Sequence, residues 1–163
     1  MSATAIKRLN KELRQLNESP SELFTIGLVN EDDLFTWCGI IFGPSDTIYE
    51  GGMFRFEMKF PSKFPIEPPS FRFLNSVFHP NVYSDGRVCI SILNKGEDQF
   101  GYEATDERWT PVRSIESILI SICSIIADPN IDSPANVDSS VLYRDNREEF
   151  NRLAIKCVKD SQI

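Results

Sequence analysis

Apolar and polar residues recur along this chain with two different periods, and the changes between them outline the elements. In "MSATAIKRLNKELRQL", Ile6, Leu9, Leu13 and Leu16 recur at spacings of three and four, which predicts an amphipathic helix with one apolar stripe. Lys7, Arg8, Lys11 and Arg14 fall off that stripe and give the helix a basic face. From Phe24 to Leu74 the period shortens. "FTIGLV" and "LFTWCGIIF" read as strands, and a turn-rich "GPSDTIYEGG" follows. In "MFRFEMKF", Phe54, Phe56, Met58 and Phe60 alternate with Met53, Arg55, Glu57 and Lys59. A strict period of two marks a strand with one face buried and the other in water. Four prolines keep "PSKFPIEPPS" out of any central ladder, so it reads as a loop, and "FRFL" reads as a fourth short strand. With short links and no helix between them, these strands predict an antiparallel meander.

Helical spacing returns after Trp109. Ser114 is placed to cap "IESILISICSIIA", where Ile115, Ile118, Leu119, Ile122 and Ile126 make a broad apolar face. This helix is expected to be the most buried. "DPNIDSPANVD" breaks it, and a short helix around "SSVLY" follows. A last helix is expected to begin at Asp145, with Asp145 and Glu148 spaced as a capping box and Phe150, Leu153, Ala154 and Cys157 facing inward. The expected fold class is α+β: an N-terminal helix, a four-stranded antiparallel meander sheet, a long irregular segment and C-terminal helices. No repeat or linker divides the sequence, so residues 1–163 are expected to form one domain.

Charge and cysteine usage narrow the function classes. A net charge of −7 argues against a general affinity for nucleic acid or an anionic membrane. No apolar run approaches the roughly 20 residues that span a bilayer, and the charged opening helix does not resemble a signal peptide. Cys38, Cys89, Cys123 and Cys157 are widely spaced, and only one histidine accompanies them. That pattern predicts free thiols in a reducing cytosol, with no metal and no cofactor. Cys38, Cys123 and Cys157 fall on strand or helix patterns and read as small core residues.

The irregular segment, residues 75 to 108, carries the candidate chemistry. About thirty residues with little periodicity are too many for a mere connection, and loops of that length are usually functional or disordered. His79 and Cys89 both lie in it. A Cys–His dyad needs the imidazole within hydrogen-bond reach of sulfur. Pro80, however, holds the backbone after His79 extended and removes a donor, so His79 is expected to bond local backbone. Asn81 offers an amide that can donate to an oxyanion or brace the loop bearing the thiol. A thiol and an amide without a dedicated base suit a cysteine that stores an acyl group as a thioester. Free cysteine, with a pKa of about 8.5, is a few per cent thiolate at neutral pH, enough to accept an acyl group that arrives as a thioester.

"HPNVYSDGRVCISIL" followed by "WTPVRSIESIL" resembles the active-site signature of ubiquitin-conjugating enzymes. The His-Pro-Asn triplet, the cysteine eight residues after the Asn and the Trp-Thr-Pro turn stand in the family's order. The "FPSKFPIEPP" loop and the "KRLNKEL" helix match as well, so the resemblance covers essentially the whole chain. It implies the α+β fold read above. It also implies that Cys89 carries the ubiquitin C-terminus as a thioester and passes it to a lysine with a RING-type ligase. ATP would be consumed upstream, by the ubiquitin-activating enzyme. Asn81 would stabilise the oxyanion or support the loop, with His79 and Pro80 supporting the turn. The family often has an acid just after its "DPN" turn. Here Asp132 falls one place early and Ser133 takes the position, while Ser91 stands where some relatives are acidic, so the proton acceptor stays open. Ile66, Pro111 and Val112 lie where the family docks RING domains. Lys7, Arg8 and Lys11 match its face for the activating enzyme.

One departure narrows the branch. Trp109 lies twenty residues after Cys89, where most members have eight or so. The extra residues form an acidic insertion at about 95–108 with Glu97, Asp98, Glu103, Asp106 and Glu107. Together with "GYEATDERWTPVRS" and "YRDNREEF", it resembles the branch that builds ubiquitin chains in endoplasmic-reticulum-associated degradation. The insertion reads either as a solvated loop or as a flap whose negative potential attracts an acceptor lysine. A cytoplasmic location follows from the resemblance, with a partner recruiting the chain to the cytosolic face of the endoplasmic reticulum and no direct membrane insertion. Two alternatives stand beside this reading. A non-catalytic member that binds only ubiquitin or a ligase would typically lack the cysteine, and a cysteine hydrolase would cleave its acyl intermediate instead of storing it.

Overall fold

A computed structural model describes residues 2–95 and 108–162. Strands β1 (Gly27–Asn30), β2 (Asp33–Phe42), β3 (Met53–Lys59) and β4 (Ser70–Phe73) lie side by side in chain order, each antiparallel to the next. This is the predicted meander. Its register sets Trp37 opposite Met58, Ile41 opposite Phe54 and Phe56 opposite Phe73, and all six side chains are buried. Aromatic pairs lock the inner face: Phe56 stacks on Phe71 with ring centroids 4.9 Å apart, and Phe71 meets Phe73 edge-on at 5.1 Å. Replacing any one of these phenylalanines by alanine costs about 3–5 kcal/mol in a core of this kind.

The first strand is shorter than its sequence suggests. Thr25 and Phe24 do meet β2, through a Thr25 N–H to Ile40 carbonyl bond of 2.8 Å and a bridge between Phe24 and Ile41. The Ile40 amide, however, donates to the Thr25 hydroxyl at 3.0 Å. A side chain thus takes a ladder position, and regular pairing starts only at Gly27.

Helix α1 (Ala3–Glu18) is capped by Ser2, whose hydroxyl accepts from the Ala5 amide at 3.1 Å. Its buried residues are Ala5, Leu9, Glu12 and Leu16. Ile6 is exposed and Leu13 only half-buried, so the helix is rotated from the predicted stripe. The reason is ionic: Glu12 lies inside because the Arg8 Nε pairs with it at 3.1 Å. After Trp109, α2 (Ile115–Ala127) is capped by Ser114 as expected, and buries Ile115, Ile118, Leu119, Ile122, Cys123 and Ile126.

Helix α3 (Val137–Asp145) and helix α4 (Arg147–Ser161) meet at Asn146. Its side chain accepts from the Glu149 amide at 3.2 Å, while its own amide donates to the Leu142 carbonyl at 2.8 Å. One residue therefore ends one helix and starts the next. The predicted capping box at Asp145 and Glu148 is displaced by one position, and Asp145 pairs with Arg144 instead. At its far end α4 is fastened to the sheet: the Ser161 hydroxyl accepts from the Met53 amide at 2.9 Å, and the Gln162 side-chain Nε2 donates to the Gly51 carbonyl at 2.8 Å.

Between β4 and α2 the chain is irregular but anchored. Val77, Val82, Val88 and Ile92 are buried, and Ser91–Leu93 form one 3-10 turn. Lys95 then pairs with Trp109, whose amide donates to the Asn94 carbonyl at 2.8 Å. Glu97, Asp98, Glu103, Asp106 and Glu107 of the acidic insertion lie outside the described residues. Among the described residues, no helix is long and apolar enough to cross a membrane.

Candidate active site

The site grows from the turn at residues 79–81. His79 is completely buried. Its Nδ1 accepts from the Asn81 amide at 2.9 Å, and its Nε2 lies 2.9 Å from the Ile125 carbonyl. An amide only donates and a carbonyl only accepts, so the proton sits on Nε2. Burial lowers the ring's pKa to about 4, which leaves it neutral. With both nitrogens occupied, His79 ties the turn to α2 and has no free lone pair for Cys89. The dyad fails on geometry, as the sequence suggested.

Pro80 and Asn81 clasp the loop that follows α2. The Pro80 carbonyl accepts from the amides of Ala135 at 2.8 Å and Asn136 at 3.0 Å. The Asn81 side chain, itself buried, makes three bonds: Oδ1 accepts from the Asn130 amide at 2.8 Å, and Nδ2 donates to the carbonyls of Asn130 at 2.7 Å and Ser133 at 3.4 Å. Both amide hydrogens are used. Asp132 and Ser133 ride on this loop and are exposed, with the Asp132 amide held by the Asn130 side chain at 3.1 Å.

Cys89 joins the same cluster through the backbone, its amide donating to the Asn81 carbonyl at 2.8 Å. It stands on the return limb of a small loop closed by the Val82–Val88 bridge and a 2.8 Å bond from the Tyr83 amide to the Arg87 carbonyl. Gly86 turns that loop at φ +95°, and a Cβ there would lie 2.1 Å from the Phe73 carbonyl oxygen, so only glycine fits. The Phe73 amide in turn donates to the Gly86 carbonyl at 2.9 Å, pinning the loop to β4. The thiol is half-buried, and Ser91 two residues on begins the 3-10 turn. Elsewhere burial raises the Cys123 thiol to about 11, Cys157 is buried and Cys38 half-buried. No cluster of three metal-ligating side chains occurs among the described residues.

The outlying residues form a second group. Ile66 is exposed, and so are Pro111 and Val112, the last at 89%. The Trp109 indole links their loops by donating to the Pro65 carbonyl at 3.0 Å, with its ring 5.9 Å from that of Phe64. Lys7 and Lys11 are exposed on α1, but Arg8 does not share their face. Its guanidinium turns inward to Glu12 and to the carbonyls of Pro111 at 2.7 Å and Arg113 at 2.8 Å. The roles of Glu12, Asn130, Ala135 and Asn136 escape a reading of the sequence. Only the i,i+4 spacing of Arg8 and Glu12 gave a hint.

This arrangement presents a half-buried cysteine without a histidine base, beside a loop clamped by an asparagine. Comparison with known proteins agrees with it. The family model described as ubiquitin-conjugating enzyme matches residues 8–158. Ubiquitin-conjugating enzyme E2 7 of Arabidopsis thaliana is 49% identical over 163 residues, covering 99% of this chain and 98% of the relative. Ubiquitin-conjugating enzyme E2 14 of the same plant is 50% identical over 155 residues, covering 94% of this chain and 93% of the relative. Ubiquitin-conjugating enzyme E2 G2 of Homo sapiens is 48% identical over 162 residues, covering 99% and 98%.

Proposed function

Because this chain belongs to the ubiquitin-conjugating enzyme family, we propose that Cys89 is the thiol on which it carries ubiquitin. The family's reaction is acyl transfer through a thioester. The Cys89 thiolate attacks the thioester that joins ubiquitin to the activating enzyme, and the activating enzyme's thiolate leaves. A lysine amine then attacks the new thioester carbonyl, the sulfur of Cys89 leaves, and an isopeptide bond remains. The half-buried position of Cys89, with its backbone held by Asn81, is the observation that carries this assignment.

Asn81 acts in this reading as the brace of the loop bearing Asp132, since its polar atoms are all engaged. Asp132, exposed on that loop, orients or deprotonates the incoming lysine, Ser133 contributes its backbone carbonyl to the Asn81 brace, and Ser91 supports the segment after the thiol. His79 and Pro80 hold the turn. Ile66, Pro111 and Val112 dock a RING-type ligase, and Lys7 and Lys11 meet the activating enzyme, a partner the family shares along with ubiquitin and ligases. The chain works as one catalytic domain in the cytoplasm, brought to the endoplasmic reticulum by a partner. Its products go to proteasomal degradation in protein quality control, on the resemblance carried by the acidic insertion, whose charge attracts acceptor lysines.

Incubation with activating enzyme, ubiquitin and ATP tests the assignment. A thiol-sensitive adduct is expected on the wild type, none on Cys89→Ala, and a thiol-resistant ester on Cys89→Ser. An adduct persisting in Cys89→Ala would overturn it.

A further inference from the structure

Arg8 sits where three elements converge. Its Nη1 and Nη2 donate to the carbonyls of Pro111 and Arg113 at 2.7 and 2.8 Å, its Nε donates to Glu12 at 3.1 Å, and its guanidinium carbon lies 5.9 Å from the centre of the Phe64 ring. The side chain of Arg8 is 23% exposed and that of Glu12 6%. A solvated docking cation would keep its donors free, and this one has spent all three nitrogens internally. Between the two gripped carbonyls stands Val112, 89% exposed at the apex of a turn closed by one bond, from the Arg113 amide to the Thr110 carbonyl at 3.1 Å. Phe64, beneath the guanidinium, packs on Trp109, whose indole holds the Pro65 carbonyl next to Ile66. The same cation therefore touches the turn that presents Val112 and the loop that presents Ile66.

We propose that Arg8 is a positioning residue for the ligase-dependent step, fixing the separation of Val112 and Ile66 so that a ligase domain meets a preformed surface. This rests on the assignment of those two residues to ligase docking. The planar fork is what the task requires, because it reaches two carbonyls and a carboxylate together, whereas an ammonium is a single point on a flexible stem. Glu12 aims the fork and balances its charge within the fold. A surface ordered before contact loses less freedom on binding, so removing the fork raises the ligase concentration needed without altering the chemistry at Cys89.

The test uses the full chain as wild type, as Arg8→Lys, and as the double variant Arg8→Met/Glu12→Met, which leaves no buried charge unpaired. Each is loaded with ubiquitin and chased with free lysine across concentrations of a RING-domain fragment chosen because it accelerates the wild type. Both variants are expected to need at least five-fold more fragment for half-maximal acceleration, with the acceleration at saturation close to that of the wild type. A folded variant with the wild-type half-saturation point overturns the proposal, as does a fall in saturated rate with half-saturation unmoved. If no RING fragment accelerates the wild type, the docking assignment itself fails, an outcome distinct from either of these.

Discussion

The side chain of Asn81 pairs with both backbone groups of Asn130, accepting from its amide at 2.8 Å and donating to its carbonyl at 2.7 Å. That pairing makes one residue the clamp between the thiol-bearing turn and the loop of Asp132. Asn81→Ala removes it together with the bond to Ser133. At about 1 kcal/mol for each hydrogen bond, the loss is about 2–3 kcal/mol, enough to lower the melting temperature by roughly 5–10 °C. Faster amide exchange at residues 130–136 and slower discharge to lysine are expected together. A role confined to the oxyanion would instead slow transfer by about 10²–10³-fold with the melting temperature unmoved.

The buried imidazole of His79 makes stability depend on pH. The folded ring has its pKa lowered to about 4, whereas an unfolded histidine titrates near 6.5. Between these values the unfolded chain holds a proton that the folded chain refuses, so stability falls as pH drops from about 6.5 toward 4 and is fully present above that window. The loss reaches about 3 kcal/mol at the bottom of the window. Urea unfolding at pH 7.5 and pH 5 is expected to show much of it in the wild type. In His79→Gln, weaker at both pH values, the difference between them should shrink by a similar amount.

Thiol reactivity should separate the four cysteines by burial. Cys123, with its thiol raised to about 11, is almost wholly protonated at pH 8, and Cys157 is buried. Brief iodoacetamide treatment followed by peptide mass spectrometry is expected to mark Cys89 and the half-buried Cys38, and to leave Cys123 and Cys157 intact. Ubiquitin loading should be lost in step with the Cys89 mark. Rapid alkylation of Cys123 would contradict the packing around α2.

The insertion should be removable without loss of the fold. Its flanks are already joined, Lys95 bridging to Trp109 and the Trp109 amide donating to the Asn94 carbonyl. Replacing residues 97–107 with a short Gly-Ser linker is expected to shift the melting temperature by only a few degrees. Chain-building should slow several-fold and lose most of its sensitivity to salt, since screening acts on the negative charges that were removed. Unchanged rates at every ionic strength would end the steering proposal.

Much of this was legible in the sequence, and the exceptions share a cause. Alternation over Phe54–Met58 and the capped helix at Ser114 depend on local periodicity, which the chain states openly. The orientation of α1 differs from its apolar stripe because Glu12 looks solvent-facing until Arg8 reaches across to residues 111 and 113, which no local pattern records. Asn146 serving two helices at once moved the last cap by one position. At the site, the bonding of His79 to backbone was legible from Pro80. The bonds of Asn81 were not legible, because their main partner is Asn130, 49 residues away along the chain.

The hydrogen bond from the Trp109 indole to Pro65 has a practical corollary. Trp37 and Trp109 are the only tryptophans, both buried, and Trp109 stands at the junction of the 60s loop and the 110s turn. With Trp37 changed to phenylalanine, the molecule would carry one tryptophan, lodged where its emission, excited apart from the tyrosines, reports whether those two segments are seated together. Nature has in effect built the gauge into the joint.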